Sequence, residues 1–184
     1  MSKKILLVTG DAGEGYELLY GYHRFLEAGM RPTIAALARK RLNLVMHDFE
    51  PGWDTYIERP GYGVQADAGF DEVQAGDFEA ILIMGGRAPE YLRHNRKLIE
   101  LLQRMNDQGK WICAICHGIQ VLVAAGAVKG RRVTCYEHVR LEVEMAGGTY
   151  DTRQAVRDGR IITAQTWQSH PEFYREIFSA LGER

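Results

Sequence analysis

Cysteine is scarce: three residues among 184. The count is odd and low, which argues against a disulfide framework and for a reducing compartment. Neither sign of charge prevails, since 23 Lys and Arg face 24 Asp and Glu and leave a formal net charge of -1. The charges are spread along the chain, so nothing in them marks a nucleic-acid or membrane-surface partner. No apolar run approaches membrane-spanning length. The N-terminal run Ile5 to Val8 is too short for a signal-peptide core, is followed closely by Gly10-Asp11, and suits a buried first strand. The protein is therefore expected in the cytoplasm. Internal repeats, low-complexity segments and a domain linker are also lacking.

What remains is an ordinary globular composition, 46% hydrophobic and 26% charged, in a length that suits one domain over residues 1–184. Apolar runs alternate with helical patterns. Strands are predicted at Ile5 to Thr9, Thr33 to Leu37, Phe78 to Met84, Trp111 to Ile115, Arg132 to Cys135 and Arg160 to Ala164. Helices are predicted at 16–28, closed by Gly29, at 89–107, at 119–125 and at 171–181, the last with Pro in its first turn. Residues 39–77, rich in Gly, Pro and aromatics, read as a hairpin or cap over one end of the sheet. Repeated strand–helix units imply an α/β fold: a mostly parallel sheet with helices on both faces. Working residues in such sheets gather at the carboxyl ends of strands. Three places fit: the loop Gly10 to Gly15, the loop Gly85 to Glu90, and Cys116-His117.

The stretch WICAICHGIQVL, residues 111–122, admits four readings. C-x-x-C-H spells covalent haem attachment, but that needs export and an exposed segment, and this one is an apolar strand. C-x-x-C spells a redox dithiol, but that needs both cysteines at a helix start. Side chains of opposite parity point to opposite faces of a sheet, so the two sulfurs diverge and Cys113 reads as core. A zinc site lacks ligands at suitable spacing. The fourth reading is a nucleophile elbow, in which the strand ends, Cys116 sits at the sharp turn and a helix begins. A thiol there meets the positive end of the helix, which favours thiolate. His117 is an unexplained polar residue in this apolar setting, and the Gly85-Gly86 loop is placed to offer backbone N–H groups.

These segments together, GDAGEGYE at 10–17, IMGGRAPEYLR at 83–93 and AICHG at 114–118, resemble the ThiJ/PfpI superfamily along essentially the whole chain. HDFEPGWDTYIE and ITAQTWQSHPEF look more like its plant glyoxalase branch than its compact peptidases. The resemblance implies a flavodoxin-like three-layer sandwich. It implies Cys116 as nucleophile, Glu14 as the acid bonded to its sulfur, and His117 as base or proton carrier. It also implies the Gly86 and His117 backbone as oxyanion hole, and Glu90 as an acid reaching a neighbouring subunit's histidine in a dimer, trimer or hexamer. The loop departs from the family pattern, with Gly13 and Gly15 flanking Glu14 where an aromatic and an Asp are usual.

Blander readings stand beside these. Glu14 also fits a solvated acid near a helix start, and Glu90 an acid in a first turn after Pro89. His170 and His47 are candidate pocket residues or simply surface and cap. Trp53, Tyr56 and Tyr62 read as cap packing. Neither cofactor nor metal is expected. Three functions follow: a glutathione-independent enzyme on small 2-oxoaldehydes; a cysteine peptidase or amidase using Cys116, His117 and a partner's Glu90; or a redox sensor or stress chaperone whose Cys116 oxidises.

Overall fold

The computed structural model describes residues 2–182. The first half runs β1 (Lys4–Val8), α1 (Gly15–Glu27), β2 (Arg31–Ala36), β3 (Arg41–Asp48), β4 (Ile57–Gln65), β5 (Ala68–Gly69) and β6 (Ala80–Ile83). There follow α2 (Ala88–Leu92), α3 (Arg96–Asp107), β7 (Trp111–Ile115), α4 (Ile119–Ala124), β8 (Arg132–Val133) and α5 (Arg140–Met145). The chain finishes with β9 (Thr149–Tyr150), β10 (Ala155–Asp158), β11 (Ile161–Ala164) and α6 (His170–Leu181). Seven strands form the central sheet in the order β10-β11-β7-β6-β1-β2-β5. All its neighbouring pairs are parallel except β10 with β11.

The central strands are apolar on both faces because helices cover both. Alternate residues feed two separate cores. Leu6, Val8, Ile81, Ile83, Ile112 and Ala114 face the layer holding Leu92, Leu98, Leu102 and Leu122. Ile5, Leu7, Leu82, Cys113 and Ile115 face the layer holding Leu18, Phe25, Phe173 and Ile177. Each such aliphatic or aromatic side chain contributes roughly 1.5–3 kcal/mol by leaving water. The result is the three-layer, flavodoxin-like sandwich expected.

Two local expectations need correction. The helix expected over 89–107 is two helices, α2 and α3. His94 and Asn95 interrupt it, and the Asn95 side chain accepts from Leu98 N at 3.0 Å as the N-cap of α3. The strand expected at 132–135 shrinks to β8, which pairs with β9 outside the main sheet. Residues 39–77 carry two long strands, β3 and β4, in an antiparallel hairpin with an irregularity between Asn43 and Val45. That hairpin is tied to the carboxyl edge of the sheet by a bridge from Glu14 to Val45, and Gly13 bridges to Gly86. Three loops that are distant in sequence thus meet above β1, β6 and β7.

Among the described residues no helix is long and apolar enough to cross a membrane. None of their His, Cys, Asp or Glu clusters is placed to hold a metal ion.

Candidate active site

β7 ends at Ile115 in extended geometry, and the next residue turns sharply. Cys116 has φ 57°, in the left-handed region that side-chain-bearing residues avoid. Such a residue stores about 1–3 kcal/mol of strain. Gly118 makes the turn possible, since a Cβ there would lie 2.3 Å from the Ile83 carbonyl oxygen. A single 3₁₀ turn over Cys116–Gly118 then leads into α4. The sulfur is thereby presented at the carboxyl ends of β6 and β7.

Two glycines bring backbone against that sulfur. A Cβ on Gly85 would lie 2.6 Å from Cys116 Cβ, so only glycine lets this loop approach. Gly86 has φ 72°, and a Cβ there would meet Glu14 N at 2.4 Å. The backbone N–H groups of Gly86 and His117 both donate to the Cys116 side chain. The His117 ring lies alongside, with Nδ1 3.4 Å from Sγ. Burial holds the His117 imidazole down at about 4, so it is neutral at pH 7. Among the described residues no carboxylate hydrogen-bonds that ring. Glu90 lies exposed in the first turn of α2.

The acid at the sulfur is Glu17, which corrects the expectation placed on Glu14. Glu17 is 0% exposed, on the inward face of α1 with Leu18, Gly21 and Phe25. Its Oε2 accepts from Gly85 N at 2.6 Å, while Oε1 is buried and finds no donor among the described residues. Burial raises the Glu17 carboxyl well above its ordinary range, and the nearby Glu14 charge adds to this. Burial raises the Cys116 thiol well above its ordinary range, and a charge on Glu17 would add to this, while the two backbone N–H groups pull the other way. The two groups are one coupled unit: once either is charged, the other keeps its proton. A sequence signal for Glu17 existed, namely a carboxyl at a helical position whose neighbours at one, four and eight residues on are all core.

Glu14 does a different job. It is turned one residue out of the helix as its N-cap and accepts from Tyr16 N at 3.1 Å. It also accepts from His47 N at 3.1 Å and lies 2.7 Å from His47 Nδ1. Because the carboxylate already holds these partners, it is not the acid on the sulfur. It still lines the same pocket, with Glu17, His47, Phe49, Tyr56 and Tyr136. His47 is therefore a pocket residue, as is Tyr56, whose ring sits 4.5 Å from His47 and 5.8 Å from His117. His170 is not in the pocket. Its ring is stacked on Tyr20 at 4.5 Å and edge-on to Tyr16 at 5.1 Å, behind α1, while Thr166 and Trp167 from the same segment reach the pocket instead.

The space over the sulfur is small, about 10 Å³, room for roughly one water. Phe49, Tyr136 and Thr166 also wall a wider chamber of about 330 Å³ with Gln154, Gln165 and Gln168.

Relatives share this architecture. A domain of an Anabaena variabilis protein described as having DJ-1/ThiJ/PfpI-like and ferritin-like domains superposes with a TM-score of 0.89 at 26% identity. The match covers 99% of this chain and 49% of that one. Drosophila melanogaster DJ-1beta shares the fold at a TM-score of 0.82 and 23% identity, over 100% of this chain and 92% of its own. In sequence, protein DJ-1 homolog D of Arabidopsis thaliana is 35% identical over 98% of this chain. The chain spans about half of that relative, 48% of its length. Deglycase PfpI of Pyrococcus furiosus is 38% identical over 88% of this chain and 89% of its own. With the profile of the DJ-1/PfpI family matching residues 3–180, the chain belongs to that family.

Proposed function

We propose that the protein is a deglycase- or glyoxalase-type enzyme acting on small 2-oxoaldehydes and their adducts through Cys116. The observation that carries this is the buried carboxyl of Glu17 paired with Cys116 at a narrow opening. Relatives named as deglycases support the same class. Once the Cys116–Glu17 unit has lost a proton, the negative charge is best placed on sulfur. The sulfur receives two backbone N–H groups, whereas Glu17 receives one and leaves Oε1 free to carry the remaining proton. The unit is then a thiolate beside a carboxylic acid.

The thiolate adds to the aldehyde carbon of a 2-oxoaldehyde such as methylglyoxal, forming the C–S bond and an alkoxide. The Gly86 and His117 N–H groups stabilise that oxygen, and Glu17 protonates it. Loss of the proton on the same carbon gives an enediol, and reprotonation at the neighbouring carbon gives a 2-hydroxy thioester. Water cleaves the thioester, releasing the hydroxy acid and the thiol. One carbon is oxidised and its neighbour reduced, so no external oxidant or reductant is consumed. Neutral His117 is placed to take and return protons.

Two observations favour this over the peptidase reading. The opening over the sulfur is narrow for an extended peptide, and among the described residues no carboxylate hydrogen-bonds the His117 ring to orient it. A homo-oligomer that brought Glu90 to a neighbour's His117 would revive the amide reading, so the mass in solution is informative. The test is lactate formation from methylglyoxal followed by NMR. Wild type is expected to form it and Cys116→Ala to lose at least 10²-fold in rate. No lactate from wild type, or undiminished turnover by Cys116→Ala, overturns the reading.

A further inference from the structure

The imidazole of His47 is held at both ends by carboxylates. Nδ1 lies 2.7 Å from Glu14 Oε2, and Nε2 lies 3.0 Å from Glu58 Oε2. Glu14 lines the pocket beside Cys116 and its side chain is 3% exposed. The Glu58 side chain is 30% exposed, on the outer side of the hairpin. Arg87 fixes Glu58 in a bidentate pair, Nε at 2.7 Å and an Nη at 2.8 Å. The main chain fixes Glu14 at the other end, through Tyr16 N and His47 N. The row is therefore continuous and rigid from the reacting centre to solvent.

We propose that Glu14, His47 and Glu58 form the proton path of the pocket, with Glu14 meeting the substrate and His47 acting as the positioning and relay residue. This rests on the aldehyde reading above. That chemistry must take a proton from one carbon and deliver one to the next, and the buried His117 ring, which faces the sulfur, hydrogen-bonds among the described residues to no group that leads on to solvent. His47 has a carboxylate on each side. Nδ1 gives a proton to Glu14 or takes one from it, and Nε2 does the same with Glu58. The proton that leaves one end is then not the one that arrived at the other, and the substrate's proton is exchanged for solvent's.

Every group facing His47 is consistent with this. Burial opposes charge on the ring, but Glu14 and Glu58 outweigh it and hold the imidazole above its ordinary range. Arg87 keeps Glu58 ionised as the outer acceptor. Tyr56, packed edge-on against the ring, is neutral, since burial and the neighbouring Cys116 push it up to about 12. The His47 charge in turn helps keep His117 neutral.

The experiment converts methylglyoxal in D₂O and reads deuterium at C2 of lactate by NMR. Wild type is expected to place solvent deuterium in most of the product. His47→Gln keeps polar contacts yet cannot relay a proton. It is expected to lower kcat about tenfold or more with KM within twofold, and to retain the substrate's own hydrogen at C2. Glu58→Gln, at an exposed position that should tolerate substitution, is expected to move the deuterium fraction the same way. Unchanged kcat and deuterium fraction in both variants overturn the relay. Should wild type make no lactate, the aldehyde reading fails, and the relay is read independently from the ¹⁵N shifts of the His47 ring. Titration above the ordinary histidine range, lowered by Glu14→Gln and by Glu58→Gln, supports it. Ordinary titration indifferent to both variants overturns it.

Discussion

At the scale of the residue, Glu17 ties stability to pH. Its carboxyl is fully buried and raised in the fold, chiefly by that burial, while the unfolded chain releases the same proton near 4.5. The folded state therefore binds the extra proton, and stability falls as pH rises from that value through the folded one. Glu17→Gln removes the slope. It is expected to melt at least about 3 °C above wild type at pH 8, roughly 1 kcal/mol for a domain of this size, with little difference at pH 4. Thermal melts at the two values check this, and a variant less stable than wild type at pH 8 would contradict it. The cost of Glu17 at neutral pH is what a group kept for chemistry rather than packing would show.

At the scale of the element, the elbow depends on how close α4 can come to β6. Gly118→Ala would drive a methyl into the Ile83 carbonyl, 2.3 Å from the new carbon. The expected loss is about 1–3 kcal/mol, read as a lower urea midpoint, and a midpoint unchanged from wild type would contradict it. This element was legible in the sequence, because an apolar run ending in Cys-His-Gly has few other ways to fold. The acid was less legible. Glu14 and Glu17 lie three residues apart, and a cap turns one away while the helix turns the other inward. Only the apolar company of Glu17, with Leu18, Gly21 and Phe25 on its face, separates them before the fold is known. The β3–β4 hairpin was legible as a cap but not as the source of His47's partners, since Glu58 reaches that ring only through antiparallel register, His47 opposite Glu58. His170 misled for the converse reason. It opens a helix near the pocket, and Trp167, three residues earlier, is the residue that lines it.

At the scale of the molecule, two buried histidines set a limit in acid. His117 and His170 are held by burial at about 4, against 6.5 in the unfolded chain. The unfolded state binds more protons between these values, so stability is complete above about 6.5 and is lost as pH falls towards 4. Urea midpoints are expected to drop from pH 7 to pH 4.5, and His170→Phe, whose ring needs no partner, to recover part of that drop. Equal slopes for variant and wild type would contradict this. The sheet places these groups as a set, because the carboxyl ends of β1, β6 and β7 bring the loops carrying Glu14, Gly86 and Cys116 to one place, and α1 delivers Glu17 beneath them. In the proposed chemistry the whole arrangement puts charge on sulfur and a proton on Glu17. The rate of Cys116 alkylation at pH 7, compared between wild type and Glu17→Gln, reports on that directly. If Glu17 is the proton donor to a thiolate, the amide is a weaker donor and alkylation slows, about tenfold for one pH unit of change in the thiol. If Glu17 is instead the anion beside a neutral thiol, removing its charge speeds alkylation, and the account is wrong.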